Sequence, residues 1–72
     1  MGISYGFSQR VRIVNDGQPH RYGTVTGIVV DAEGGAGLRV IELDTAYCEY
    51  SASKQMYIRL IVVHTDNLET VP

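Results

Sequence analysis

Apolar and polar residues alternate with a period of two along much of this chain, and helical stripes are missing. No window of about 11 residues carries an apolar i, i+3, i+4, i+7 pattern free of glycine and β-branched runs. In the segment Phe7 to Val14, Val11 and Ile13 alternate with Arg10 and Arg12, which predicts a strand with one buried face. Asn15-Asp16-Gly17-Gln18-Pro19 ends it: Asp-Gly supplies the positive φ of a tight turn, and Pro19 has no ladder donor. Tyr22 to Asp31 is rich in strand formers and predicts the second strand, with Gly23 and Gly27 marking a bend or bulge. Ala32 to Gly37 reads as a flexible hairpin connection, Leu38 to Asp44 as the third strand, and Thr45 to Gln55 as a longer loop. Met56 to His64 predicts the fourth strand. One helical turn capped by Thr65 or Asp66 follows, and then a short last strand, Glu69-Thr70-Val71.

Five short strands with a helical turn before the last predict an all-β, five-stranded SH3-like barrel. The order of the pieces supports that outline. Arg10-Val11-Arg12-Ile13, Tyr22-Gly23-Thr24-Val25-Thr26-Gly27, Val40-Ile41-Glu42-Leu43-Asp44 and Asp66-Asn67-Leu68-Glu69 resemble the recurring pattern of the SH3-like barrel superfamily, over residues 9–71. The expected organisation is a single domain over residues 1–72, with residues 1–8 as an N-terminal arm.

Three groups within that superfamily share pieces with the chain. Arg10-Val11-Arg12, Gly23-x-Val25-x-Gly27 and Leu68-Glu69-x-Val71 resemble the type II dihydrofolate reductases, which build one active pore from four subunits. Where that family carries Val-Gln-Ile-Tyr, this chain has Leu60-Ile61-Val62-Val63, so the glutamine and tyrosine that meet cofactor and substrate are missing. Val11 to Ile28 resembles a KOW-type segment, which implies RNA binding through Arg10, Arg12 and Arg21. The SH3-like subunits of photosystem I and thylakoid complexes are similar too, and imply protein docking.

Composition narrows these readings. The chain has 72 residues, 44% of them apolar and 19% charged, which is globular rather than disordered. A domain this small is marginal in stability, and Cys48, the single cysteine, cannot close an internal disulfide. The net charge is −2. Residues 1–22 hold Arg10, Arg12 and Arg21 against Asp16 alone, a small basic patch on an otherwise acidic body. Nucleic-acid domains are usually basic throughout, so a solvated strand face is the plainer account of these arginines. No apolar run approaches the length of about 18 residues that spans a bilayer. No signal peptide or myristoylation pattern is expected at the N-terminus. The expected setting is the cytoplasm, of a prokaryote or of a cell carrying a phage or mobile element, where one unpaired thiol stays reduced.

Both faces of the predicted fourth strand are apolar: Met56, Ile58, Leu60 and Val62 on one, Tyr57, Ile61 and Val63 on the other. In the second strand Val25 and Val29 point one way, Ile28 and Val30 the other. A barrel has one interior, so Ile28, Val30, Ile61 and Val63 are expected to form an outer apolar patch, buried in a homo-oligomer. The alternative is that they lie under the N-terminal arm or the 45–55 loop.

Catalytic signals are absent from the pattern. Gly34-Gly35-Ala36-Gly37 joins two strands, whereas a phosphate loop opens a helix. His64 near Asp66 reads as a structural histidine, His20 as an exposed loop residue, and Cys48 beside Glu49 as a small buried hydrophobe whose acidic neighbour disfavours thiolate. Tyr22, Tyr47, Tyr50 and Tyr57 are the candidate protein-binding residues, joined by Tyr5 across the barrel mouth, because tyrosines on loops supply large, rigid, amphipathic contact area; the alternative is that two or three of them pack the barrel ends. The expected function is therefore a non-enzymatic protein-binding module without cofactor or metal, acting as a homo-oligomer on an unidentified protein partner and away from membranes. A KOW-like nucleic-acid-binding domain and a diverged relative of type II dihydrofolate reductase are the alternatives.

Overall fold

A computed structural model describes residues 5–72. The chain forms β1 (Arg10–Ile13), β2 (Arg21–Val29), β3 (Leu38–Leu43), a 3-10 turn at Thr45–Tyr47, β4 (Glu49–Ser51), β5 (Met56–Ile58), β6 (Leu60–His64), a second 3-10 turn at Thr65–Asn67, and β7 (Leu68–Thr70). Five strands make one antiparallel sheet in the order β6-β3-β2-β1-β7, and β4 and β5 form a separate hairpin. The protein is thus all-β. Among the described residues no ladder joins β6 to β7, so the sheet curls without closing into the barrel expected from the sequence. The first four residues of the expected arm lie outside the described ones. Its remainder is anchored: Tyr5 is buried and its hydroxyl donates to the Leu68 carbonyl at 2.8 Å.

The core is small and built by alternation. Val11 and Ile13 on β1, Val25 on β2, Ile41 and Leu43 on β3, and Leu68 on β7 are all buried with Tyr5 in one cluster. Burying each large aliphatic is worth about 1.5–3 kcal/mol. The register runs Val25 against Ile41 and Ile41 against Ile61, so the core face is continuous across three strands. Gly23 lies where any side chain would collide: a Cβ there would sit 2.6 Å from the Glu42 carbonyl oxygen.

Four expectations are corrected. First, a bulge between Val25 and Gly27 adds one residue to β2 and reverses all later side chains. Val25 and Ile28 therefore share the core side, Ile28 opposite the buried Arg39, while Val29 moves to the outer face. Second, the expected strand Met56–His64 is broken at Arg59. β5 pairs with β4 inside the expected 45–55 loop region and its flank, and β6 pairs with β3. Third, within β6 it is Ile61 and Val63 that pack against the core, and Leu60 and Val62 that face solvent, each 57% exposed. Ile61 and Val63 are therefore not outer-patch residues, because β6 must carry its odd positions inward to match Ile41. Fourth, the last helical turn is capped by His64, whose Nδ1 accepts the Asp66 N–H at 3.1 Å, rather than by Thr65 or Asp66.

Candidate docking surface

The four candidate tyrosines separate into two pairs. Tyr22 on β2 and Tyr47 on the first 3-10 turn lie with ring centroids 5.5 Å apart, both half-buried, and Tyr47 packs against the core cluster. Tyr50 and Tyr57 face each other directly across the β4–β5 hairpin, edge to face at 5.3 Å. This second pair stays open to solvent, at 58% and 66% exposure. An edge-to-face pair is a favourable arrangement of ring quadrupoles, so each ring holds the other in place on the surface.

The hairpin's position makes Tyr57 a ridge between two open clefts. One, of about 380 Å³, is lined by Glu42, Lys54, Met56, Tyr57 and Leu60 among others. The other, of about 340 Å³, is lined by Thr45, Cys48, Tyr57 and Arg59. Exposed Met56 and Leu60 extend the apolar surface around the ring. Cys48 is half-buried against the core with its Sγ 3.7 Å from the Asp44 carbonyl oxygen.

The three candidate phosphate-binding arginines are already engaged. Arg10 makes a two-pronged pair with Asp44, at 2.6 and 2.8 Å. Arg12 holds Glu69 at 2.6 Å. Arg21 bridges Asp16 at 2.6 Å and Glu49 at 2.8 Å. The Asp44 and Asp16 carboxyls are held below their usual range by hydrogen bonds from Arg10 and Arg21 respectively. The Arg10 and Arg12 guanidiniums are held above theirs, by Asp44 and Glu69. A phosphate would have to displace a carboxylate at each position. The glycine-rich connection is likewise occupied by its own acid: the Asp31 carboxylate accepts the N–H groups of Glu33 and Gly35, at 3.0 and 2.7 Å.

The remaining expected positions are scattered. Ile28 and Val30 are exposed at the end of β2, at 38% and 60%, away from the hairpin's paired tyrosines in sequence and sheet. Among the described residues no group of three His, Cys, Asp or Glu side chains converges to hold a metal ion. No helix among them is long and apolar enough to cross a membrane.

Two features escape a reading of the sequence. Arg39 is buried, its Nε donating to the Tyr5 carbonyl at 2.7 Å and its Nη1 to the carbonyls of Ala36 and Leu38. The β4–β5 hairpin is hidden because each strand is only three residues long. The near-symmetric spacing of Tyr50 and Tyr57 around the polar Ser51–Gln55 segment is the signal that could have found it. Compared with family models, curated proteins and solved structures, the chain matches none.

Proposed function

We propose that this chain is a protein-binding module that works by contact rather than by catalysis, docks its partner through the β4–β5 hairpin, and self-associates. The carrying observation is the exposed Tyr50–Tyr57 pair. Neither ring belongs to the core cluster; their packing is with each other across the hairpin. Large aromatic side chains paired on a hairpin between two clefts have the character of interface anchors. The architecture belongs to the same reading. The order β6-β3-β2-β1-β7, a bulged second strand and a 3-10 turn before the last strand follow the SH3-like outline, a scaffold on which loops and inserted hairpins do the binding. Nucleic-acid binding is disfavoured by the carboxylates that occupy Arg10, Arg12 and Arg21.

A photo-crosslinking residue in place of Tyr57 tests this in the cells that make the protein. The expected result is a discrete adduct, heavier than multiples of the chain, that excess wild-type protein competes away. Tyr50→Ser should weaken its capture on the order of tenfold, as loss of an anchor does, with an unchanged far-UV spectrum. No adduct other than the chain with itself, or an adduct indifferent to Tyr50→Ser, would overturn the docking role.

A further inference from the structure

We propose that β6 is a self-pairing edge: two copies of the chain join antiparallel about Val62 and extend their sheets into one. The proposal deepens the self-association part of the reading above and rests on it. The sheet has two edges, and they differ. β7 is three residues long and carries Glu69, bound by Arg12; short length and charge are the usual devices that blunt an edge. β6 is five residues long, reads Leu60-Ile61-Val62-Val63-His64, and has no Pro, Lys, Asp or Glu and no bulge in its register with β3.

The ladder decides what that edge presents. The Leu43 N–H donates to the Arg59 carbonyl and the Thr65 N–H to the Gly37 carbonyl, both at 2.8 Å. In an antiparallel pair, bonded and non-bonded positions alternate. Arg59, Ile61, Val63 and Thr65 therefore turn their backbone groups toward β3, and Leu60, Val62 and His64 turn theirs to the free edge. Among the described residues no other strand takes them up; the His64 carbonyl also caps the following 3-10 turn and can share its second lone pair with the edge. A two-fold axis at Val62 sets Leu60 opposite His64 of the second copy and Val62 opposite Val62. Only this register pairs all three outward-facing residues with one another.

The side chains and charges agree with it. Val62 lies beside Val40 in its own sheet, so the joined sheet carries an unbroken row Val40, Val62, Val62, Val40 on its outer face. Arg59, exposed at the break just before β6, has no carboxylate within ion-pair distance among the described residues. At the other end the Asp66 side chain is 87% exposed, and among the described residues its one charged neighbour within ion-pair distance is the His64 ring at 3.5 Å. Antiparallel pairing brings Arg59 of each copy beside Thr65 and Asp66 of the other, twice by symmetry. The occupant of this edge is a second copy, because the edge complements itself in backbone, side chain and charge.

The test uses the full chain at about 100 µM, since an interface of one added strand is at the weak end of the size range. Wild type should scatter light as a dimer or a higher even multimer. Val62→Pro removes an N–H that β3 does not use, and Val62→Lys places like charges on the axis; both should run as single chains with the wild-type far-UV spectrum. Val62→Cys in a Cys48→Ala background should close a disulfide with its own copy, since paired Cα atoms at about 5.5 Å are within disulfide reach. Thr70→Cys on β7 should not. A wild type that stays a single chain would overturn self-association and this edge with it. A multimer that survives both Val62→Pro and Val62→Lys, and does not crosslink at position 62, would overturn the edge alone.

Discussion

Arg39 is a cation at 7% exposure, and its guanidinium is met by backbone carbonyls of Tyr5, Ala36 and Leu38. It ties the N-terminal segment and the β2–β3 connection to β3. Its removal leaves one buried and two part-buried carbonyls without this donor, which costs more than the net worth of one hydrogen bond. Arg39→Met should lower unfolding free energy by about 2–4 kcal/mol in urea titrations, and Arg39→Lys, which reaches fewer carbonyls, by a similar amount or slightly less. A loss under about 0.5 kcal/mol, the range of an ordinary surface substitution, would refute this role. The sequence hides Arg39 because β3 is apolar on both faces: Leu38 and Val40 lie on one, Ile41 and Leu43 on the other. Alternation then cannot tell which side the arginine shares, and a charged residue is assigned to solvent by default. The tyrosines were legible as candidates for the converse reason. Their type announces contact area, while only packing separates the half-buried Tyr22–Tyr47 pair from the exposed Tyr50–Tyr57 pair.

At the scale of elements, β1, β2, β3 and β7 stand near where alternation and turn residues placed them, because those signals are local. The bulge in β2 was anticipated by its glycines, and its consequence was not, since one added residue flips every side chain beyond it. The break at Arg59 was invisible for a similar reason. Met56 to His64 is uninterrupted in strand propensity, yet its two halves pair with different partners, Tyr57 with Tyr50 and Ile61 with Ile41. Close approach at Gly23 gives the element-scale prediction. An added methyl would meet the Glu42 carbonyl oxygen at 2.6 Å and the Ile41 side chain at 2.7 Å, and backbone cannot yield as a flexible side chain can. Gly23→Ala should destabilise the protein by about 1–3 kcal/mol, read from thermal or urea unfolding, whereas Gly6→Ala, with open space around it, should change little.

Over the whole molecule, ion pairs join segments remote in sequence: Arg10 to Asp44 links β1 to the end of β3, and Arg21 joins the β1–β2 turn to β4 through Asp16 and Glu49. Asp16 and Asp44 titrate lower in the folded chain than in the unfolded one. Such groups stabilise the fold above the ordinary carboxylate value, and that contribution fades as pH falls through the lower folded value. Thermal stability should therefore decline below about pH 4. Asp16→Asn should flatten that decline more than Asp44→Asn, because the Arg21–Asp16 pair is the less exposed (15% and 19%) and water screens it less. Melts between neutral pH and pH 2 in which neither variant differs from wild type in slope would contradict the assignment. The sequence by itself determined the all-β class, most strand positions, the turns and the residue types fit for contact, because periodicity and turn chemistry act within a few residues. The tertiary structure alone decided which face each strand buries, which arginines are engaged, and which tyrosines remain open. It also decided which sheet edge is left unprotected. These depend on register between distant segments, and a shift of one residue in register inverts every face beyond it.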